Sequence, residues 1–211
     1  MTKVKFFNCK IDISKKVFEP RVETEFWVRK AIHEIENCKS KIANLKALDI
    51  FSGSGCIGIS ILKNIKGSKV NFADISKDSV DQIKINLRLN RIGKERYKIY
   101  QTNLFQRLKN KKYDFIFANP PYVAENRISE VQEEVLKKDP KIALFGGEDG
   151  MDYIKKFFGQ VKINLNQKGK VFLEFDPLQK EKIKEILEKE KFKFNFKKDQ
   201  FGKYRWLEAK I

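Results

Sequence analysis

The chain has 211 residues, with Lys+Arg 45 against Asp+Glu 28 and a formal net charge of +17. At 41% hydrophobic and 12% aromatic it can fill a core, which excludes a disordered tail, and its length suits one sizeable domain. No apolar run reaches membrane-spanning length, and the opening MTKVKFFNCKIDISKK lacks the apolar stretch of a secretory signal, so a cytoplasmic protein without membrane contact is expected.

Residues 3–18 alternate apolar and polar side chains on either side of Asn8–Lys10, the pattern of a β-hairpin. From Val22 to Cys38, Phe26, Val28, Ile32 and Ile35 recur at near-helical spacing. Strands and helices then alternate. Strands are predicted at 47–51, 69–75, 97–102, 113–118 and 169–175, and helices at 57–65, 77–91, 150–165 and 179–190. Two further strands, 192–196 and 204–211, are joined by the turn KKDQFGK. This order predicts an α/β domain whose mostly parallel sheet is covered on both faces and ends in an antiparallel pair. Residues 1–38 read as a hairpin-and-helix extension and 39–211 as the main body of what is effectively one domain.

Several chemistries lack their residues. Cys9, Cys38 and Cys56 are far apart and form no CxxC, which reads as buried thiols in a reducing compartment. His33 is the single histidine and falls in the early helix, so a Ser-His-Asp or Cys-His mechanism and a His-ligated metal site are poorly supported, and no metal is expected. The lysines are spread along the chain. They fit a surface facing RNA or the ribosome, and equally a compositional bias.

LDIFSGSGCIG, residues 48–58, follows a strand and opens a helix, and Gly53, Gly55 and Gly58 make a G-x-G-x-x-G. Such a loop lets a ligand approach the backbone at a helix N-terminus, and Asp74, at the end of the next strand, can bond ribose hydroxyls. The pattern fits a dinucleotide or S-adenosylmethionine. Asp49 favours the latter, because a carboxylate before the loop suits a sulfonium and an ammonium and repels a pyrophosphate.

The run YDFIFANPPYV, residues 113–123, ends a strand in Asn119, Pro120, Pro121 and Tyr122. Two prolines fix φ twice and remove two donors, which leaves a stiff rim of acceptors, the Asn119 side-chain oxygen and the Pro120 carbonyl. That rim suits a planar –NH2 group with two hydrogens to donate, and Tyr122 supplies an aromatic face beside it. Orientation of such a nitrogen against an electrophile needs no strong base, since its proton leaves after attack.

Together these segments resemble the catalytic domain of the release factor glutamine methyltransferases, the HemK/PrmC family. FEPRVETEFWV (18–28) is similar to that family's PRPETE segment, LDIFSGSGCIGIS to its cofactor loop and ADISKDSV (73–80) to its acidic strand end. TNLFQ (102–106), NPPY and PKIALFGGEDGMDYIKKF (140–157) match further motifs. Only residues 1–19 precede PRVETE, where the family usually carries an N-terminal helical domain; Val22 replaces a proline, and LEFDPLQ (173–179) lacks the family's usual glycine. The resemblance implies a class I, Rossmann-like methyltransferase fold, expected here as a mostly parallel seven-stranded sheet with an antiparallel C-terminal strand, to which the alternation of residues 3–18 adds the hairpin extension. It implies S-adenosyl-L-methionine as cofactor, held by Asp49, Phe51, Gly53, Ser54 and Gly55 on the loop, Asp74 and Ile75 at the next strand end, Asn103 and Leu104 near the adenine, and Asn119. It further implies methyl transfer to the glutamine amide of a release factor's Gly-Gly-Gln loop; a monomer is expected. Asn119, Pro120 and Tyr122 would be catalytic, and Pro121, Arg21, Glu23 and Thr24 would line the substrate side. The alternative role for Glu23 or Thr24 is to cap the early helix, and Glu148 and Asp149 read as loop-structural. NPPY is shared with enzymes that methylate exocyclic amines of DNA or RNA, which, with glutamine in another translation protein, is the competing substrate class.

Overall fold

The computed structural model describes residues 2–37 and 44–211. Strands β1 (Lys3–Phe6) and β2 (Cys9–Asp12) pair antiparallel with Phe6 opposite Cys9, the hairpin that the alternation predicts. Helix α1 (Val22–Asn37) follows and buries Trp27, Val28, Ala31, Ile32 and Ile35 along one face. Trp27 stacks on Phe117 and Trp206 of the main sheet, with ring centroids 6.3 and 6.2 Å away. Phe6, Cys9 and Ile11 of the hairpin join the same core, so the extension and the main body share one apolar interior. Cys38 and the expected boundary at 38/39 lie outside the described residues.

The main sheet consists of β3 (Lys46–Ile50), β4 (Lys69–Asp74), β5 (Tyr97–Gln101), β6 (Tyr113–Ala118), β7 (Leu165–Glu174), β8 (Lys193–Lys198) and β9 (Tyr204–Lys210), in the order β5-β4-β3-β6-β7-β9-β8. All neighbours are parallel except β9, which runs antiparallel to both β7 and β8. The antiparallel strand is thus inserted one place inside the edge. β7 begins at Leu165, four positions before the predicted start, because Gly169 and the polar run before it belong to the strand.

Pleating sorts the side chains of β3 between two layers. Ala47 faces the layer of α1, α2 (Cys56–Asn64) and α3 (Lys77–Leu89), whereas Leu48 and Ile50 face that of α6 (Asp152–Val161) and α7 (Lys180–Lys189). The helix expected at 150–165 is therefore shorter than predicted and continues as a 3-10 turn over Lys162–Asn164. Between β6 and α6 the chain forms a 3-10 segment (Glu125–Glu130) and two short helices, α4 (Glu133–Lys138) and α5 (Lys141–Leu144), none of which the periodicity predicts. From β3 the chain steps to β4 and β5 on one side and then returns to β6 on the other. The crevice beyond β3 and β6 is the switch point at which open α/β sheets bind ligands.

Candidate active site

A cavity of about 310 Å3 opens at this switch point. The β3–α2 loop, the residues after β4, β5 and β6, and the end of β7 form its floor, while the start of α1 and the α4–α5 segment form its walls. Of the residues singled out from the sequence, Phe51, Gly53 and Ser54, Asp74 and Ile75, Asn103 and Leu104, Asn119 to Tyr122, and Arg21, Glu23 and Thr24 all line it. Asp49 and Gly55 are not among its lining residues.

The placement of Asp49 follows from the pleat. Its neighbours Leu48 and Ile50 face the α6 layer, so its own side chain turns toward α2, fully buried behind the loop. Oδ2 accepts the Gly58 N–H at 2.9 Å, and among the described residues Oδ1 has no hydrogen-bond partner. Gly58 has no room for a side chain, since a Cβ there would overlap the Phe72 ring; the glycine lets α2 lie against β4. Asp74 grips the loop from its other side. Its Oδ2 accepts the Gly53 N–H and its Oδ1 the Ser76 N–H, each at 2.8 Å. The Ser52 hydroxyl ties the same loop to the backbone of Asp49 and Ala73. Burial pushes the carboxyls of both Asp49 and Asp74 above the ordinary range.

The Asn119–Tyr122 rim is braced from below by the turn that ends at Gly150. Gln179 Nε2 donates to the carbonyls of Tyr122 and Gly150 at 2.9 and 3.0 Å. Gly146 N–H donates to the Val123 carbonyl at 2.9 Å. Gly150 has φ +73, and a Cβ there would strike the Tyr122 carbonyl, so this backbone lies against the rim as only glycine permits. Asp149 accepts the Met151 N–H and pairs with Lys182, consistent with a structural role in the loop.

Glu174, at the end of β7, is a site residue not singled out from the sequence. It is 1% exposed and accepts from three side chains. Oε2 receives Thr24 Oγ1 at 2.7 Å and Trp27 Nε1 at 2.6 Å, and Oε1 receives the Tyr122 hydroxyl at 3.1 Å. Thr24 lies inside the first turn of α1 and gives its hydroxyl hydrogen to Glu174, so it does not cap the helix. Asn119 Nδ2 stands 3.4 Å from the same Thr24 oxygen. Burial raises the Glu174 carboxyl, and burial together with Glu174 raises the Tyr122 phenol. A carboxylate in the otherwise apolar VFLEF (171–175) is the signal that marks this residue.

Arg21 forms an ion pair with the buried Asp139 and lies over the Phe18 ring at 4.8 Å. Asp139 also accepts the Glu19 N–H, which fastens the segment before α1 to the chain between α4 and α5. Val135, Ile142 and Leu144 of those helices supply apolar wall that the sequence did not reveal. His33 is exposed on α1 and is not among the cavity's lining residues. Cys9 and Cys56 are buried and free. Among the described residues no group of three or more His, Cys, Asp or Glu side chains could hold a metal, and no helix is long and apolar enough to cross a membrane.

Comparison with known proteins identifies the family and the fold. The model of the family described as Methyltransferase small domain matches residues 35–172. A release factor glutamine methyltransferase of Flavobacterium psychrophilum is 33% identical over 208 residues, which cover 97% of this chain and 71% of that protein. The chain belongs to the release factor glutamine methyltransferase family. A bifunctional methyltransferase of Rickettsia conorii is 36% identical over 151 residues, 72% of this chain and 28% of that protein. The chain spans 66% of two other release factor glutamine methyltransferases, so several of the family's curated members are considerably longer. Among solved structures, the N-terminal domain of human METTL16 in complex with SAH superposes with a TM-score of 0.66 at 22% identity, covering 97% of this chain and 76% of that one. The fold is that of a class I methyltransferase, as the family's motifs imply.

Proposed function

We propose that the protein transfers a methyl group from S-adenosylmethionine to the side-chain amide nitrogen of a glutamine, in the Gly-Gly-Gln loop of a peptide chain release factor. One observation carries this reading: the glycine loop with its acid and the Asn119–Tyr122 rim line the same cavity, at the carboxyl ends of adjacent strands. The family membership points the same way.

The residues present fit the cofactor. Asp74 on the cavity and Asp49 behind it are acids whose carboxyls burial raises, so a cation beside them favours their ionised form and the field at this end of the site is then negative. Such a field suits a ligand carrying a sulfonium and an ammonium and disfavours a pyrophosphate. S-adenosylmethionine bound there supplies an electrophilic methyl group. The Asn119 side-chain oxygen and the Pro120 carbonyl accept the two amide hydrogens of the glutamine and hold its nitrogen in place. As that nitrogen takes up the methyl group, with the bonding pair left on the departing sulfur, the two acceptors would stabilise the positive charge that develops on it, and one amide proton would then pass to solvent. Orientation of this kind contributes about 7–11 kcal/mol in favourable cases, which is why no histidine base is required.

The test is methyl transfer from labelled S-adenosylmethionine to a class 1 release factor, to the same factor with its Gly-Gly-Gln glutamine replaced, and to duplex and single-stranded nucleic acid. Label on the unaltered factor alone is the expected result. Label on nucleic acid alone, or on the altered factor equally, overturns the reading.

A further inference from the structure

We infer that Glu174, acting through Thr24, fixes which end of the Asn119 amide faces the cavity. The inference rests on the proposed function for its consequence, though not for its geometry. It begins with the donor inventory. Trp27 Nε1 only donates and an ionised carboxylate only accepts, so the contact at 2.6 Å makes Glu174 Oε2 the acceptor. The Thr24 hydroxyl reaches the same oxygen at 2.7 Å and has one hydrogen to give, which therefore goes to Glu174. Its oxygen is left as an acceptor. The Asn119 group that faces it, at 3.4 Å, must then be the –NH2 end. The amide oxygen lies at the opposite end, and among the described residues no hydrogen bond is made to it.

An asparagine amide is nearly symmetric in shape, and its two ends exert opposite demands on a ligand. With Oδ1 toward the cavity, the rim accepts from an incoming –NH2. With Nδ2 toward the cavity, the same rim repels it. Two prolines hold the backbone but do not select between these flips. The directional chain Asn119 → Thr24 → Glu174 does. Tyr122 is oriented by the other oxygen of the same carboxylate, at 3.1 Å, so one buried group sets two of the four rim residues. Glu174 and Thr24 are positioning residues on this account.

Two readouts separate this inference from the proposed function. The first needs no substrate: the side-chain amide 15N–1H2 pair of Asn119, assigned by its loss in Asn119→Asp. In the wild type it should show cross-relaxation with Thr24. Thr24→Val, which keeps the shape and removes the hydroxyl, should shift the pair, and Thr24→Ser should return it. Glu174→Gln keeps an oxygen for Thr24 and Trp27 and turns its –NH2 to the Tyr122 hydroxyl, so it should leave the pair near its wild-type position. The second readout is methyl transfer to the release factor. Thr24→Val should lower kcat by about ten- to a hundredfold with S-adenosylmethionine affinity within about twofold, and Thr24→Ser should recover most of the rate. An Asn119 amide pair unmoved by Thr24→Val, or a wild-type kcat in that variant, overturns the inference. If the wild type methylates no release factor, the proposed function fails and the amide signals alone decide the orientation.

Discussion

The Gly53 N–H donates to Asp74 Oδ2 at 2.8 Å, joining the tip of the β3–α2 loop to the end of β4. The other Asp74 oxygen holds the Ser76 N–H ahead of α3, so one carboxylate clamps two strand ends while lining the cavity. Replacing it with alanine releases both backbone donors and removes the acid at the proposed ribose position. Asp74→Ala should weaken S-adenosylmethionine by at least about tenfold in a calorimetric titration. Wild-type affinity in this variant would show that the clamp has no part in binding.

The rim makes the opposite prediction. Asn119 is proposed to touch the substrate nitrogen, and the loop that the cofactor uses is held elsewhere. Asn119→Ala should reduce kcat by about a hundred- to a thousandfold, the scale seen when one preorganised polar contact to developing charge is removed. S-adenosylmethionine affinity should stay within about twofold by the same titration. Near-normal turnover would sink the amide grip.

Gly58 tests packing. A methyl group there enters the Phe72 ring, and neither α2 nor β4 can retreat without disturbing the sheet. Gly58→Ala should cost about 1–3 kcal/mol, visible as a melting temperature several degrees lower. An unchanged melting curve would mean that α2 slides freely on the strand.

Asp49 carries the pH prediction. Burial raises its carboxyl well above the ordinary range, so the folded state holds its proton more tightly than the unfolded state does. Its stabilising contribution is complete below the unfolded value, about 3.9, and is lost as pH rises toward the folded value. Asn in its place does not titrate. Asp49→Asn should therefore melt higher than the wild type at pH 7, with the gap closing as pH falls toward 4, and it should bind S-adenosylmethionine more weakly. Melting curves that stay parallel across this range would contradict the assigned burial.

Much of this architecture can be read from residues whose local physics is unambiguous. The double proline stops β6 at Ala118, the glycine loop after β3 leads into α2 with Gly55 ahead of its first turn, and the apolar alternation around Asn8–Lys10 gives the hairpin. Asp49 was legible as an acid just before the glycine loop, but its direction is set by strand pleating relative to two helical layers, and no window of sequence contains that. The α4–α5 wall escaped because helices of six and four residues complete too few turns to show a period. Glu174 escaped for another reason. A lone acid in a strand gains meaning only when the partners that satisfy it are known, and Thr24 and Trp27 come from the far end of the chain.

The chain's two tryptophans are stacked on each other, one from α1 and one from β9, and the indole N–H of Trp27 ends on Glu174. All intrinsic indole emission thus originates at the seam where the N-terminal extension meets the sheet, one hydrogen bond from the rim. Undocking α1 separates the rings and exposes both to water, and discharging Glu174 removes a negative charge beside one of them. Without any label, the colour of the protein's own fluorescence reports whether the substrate side of the cavity is assembled.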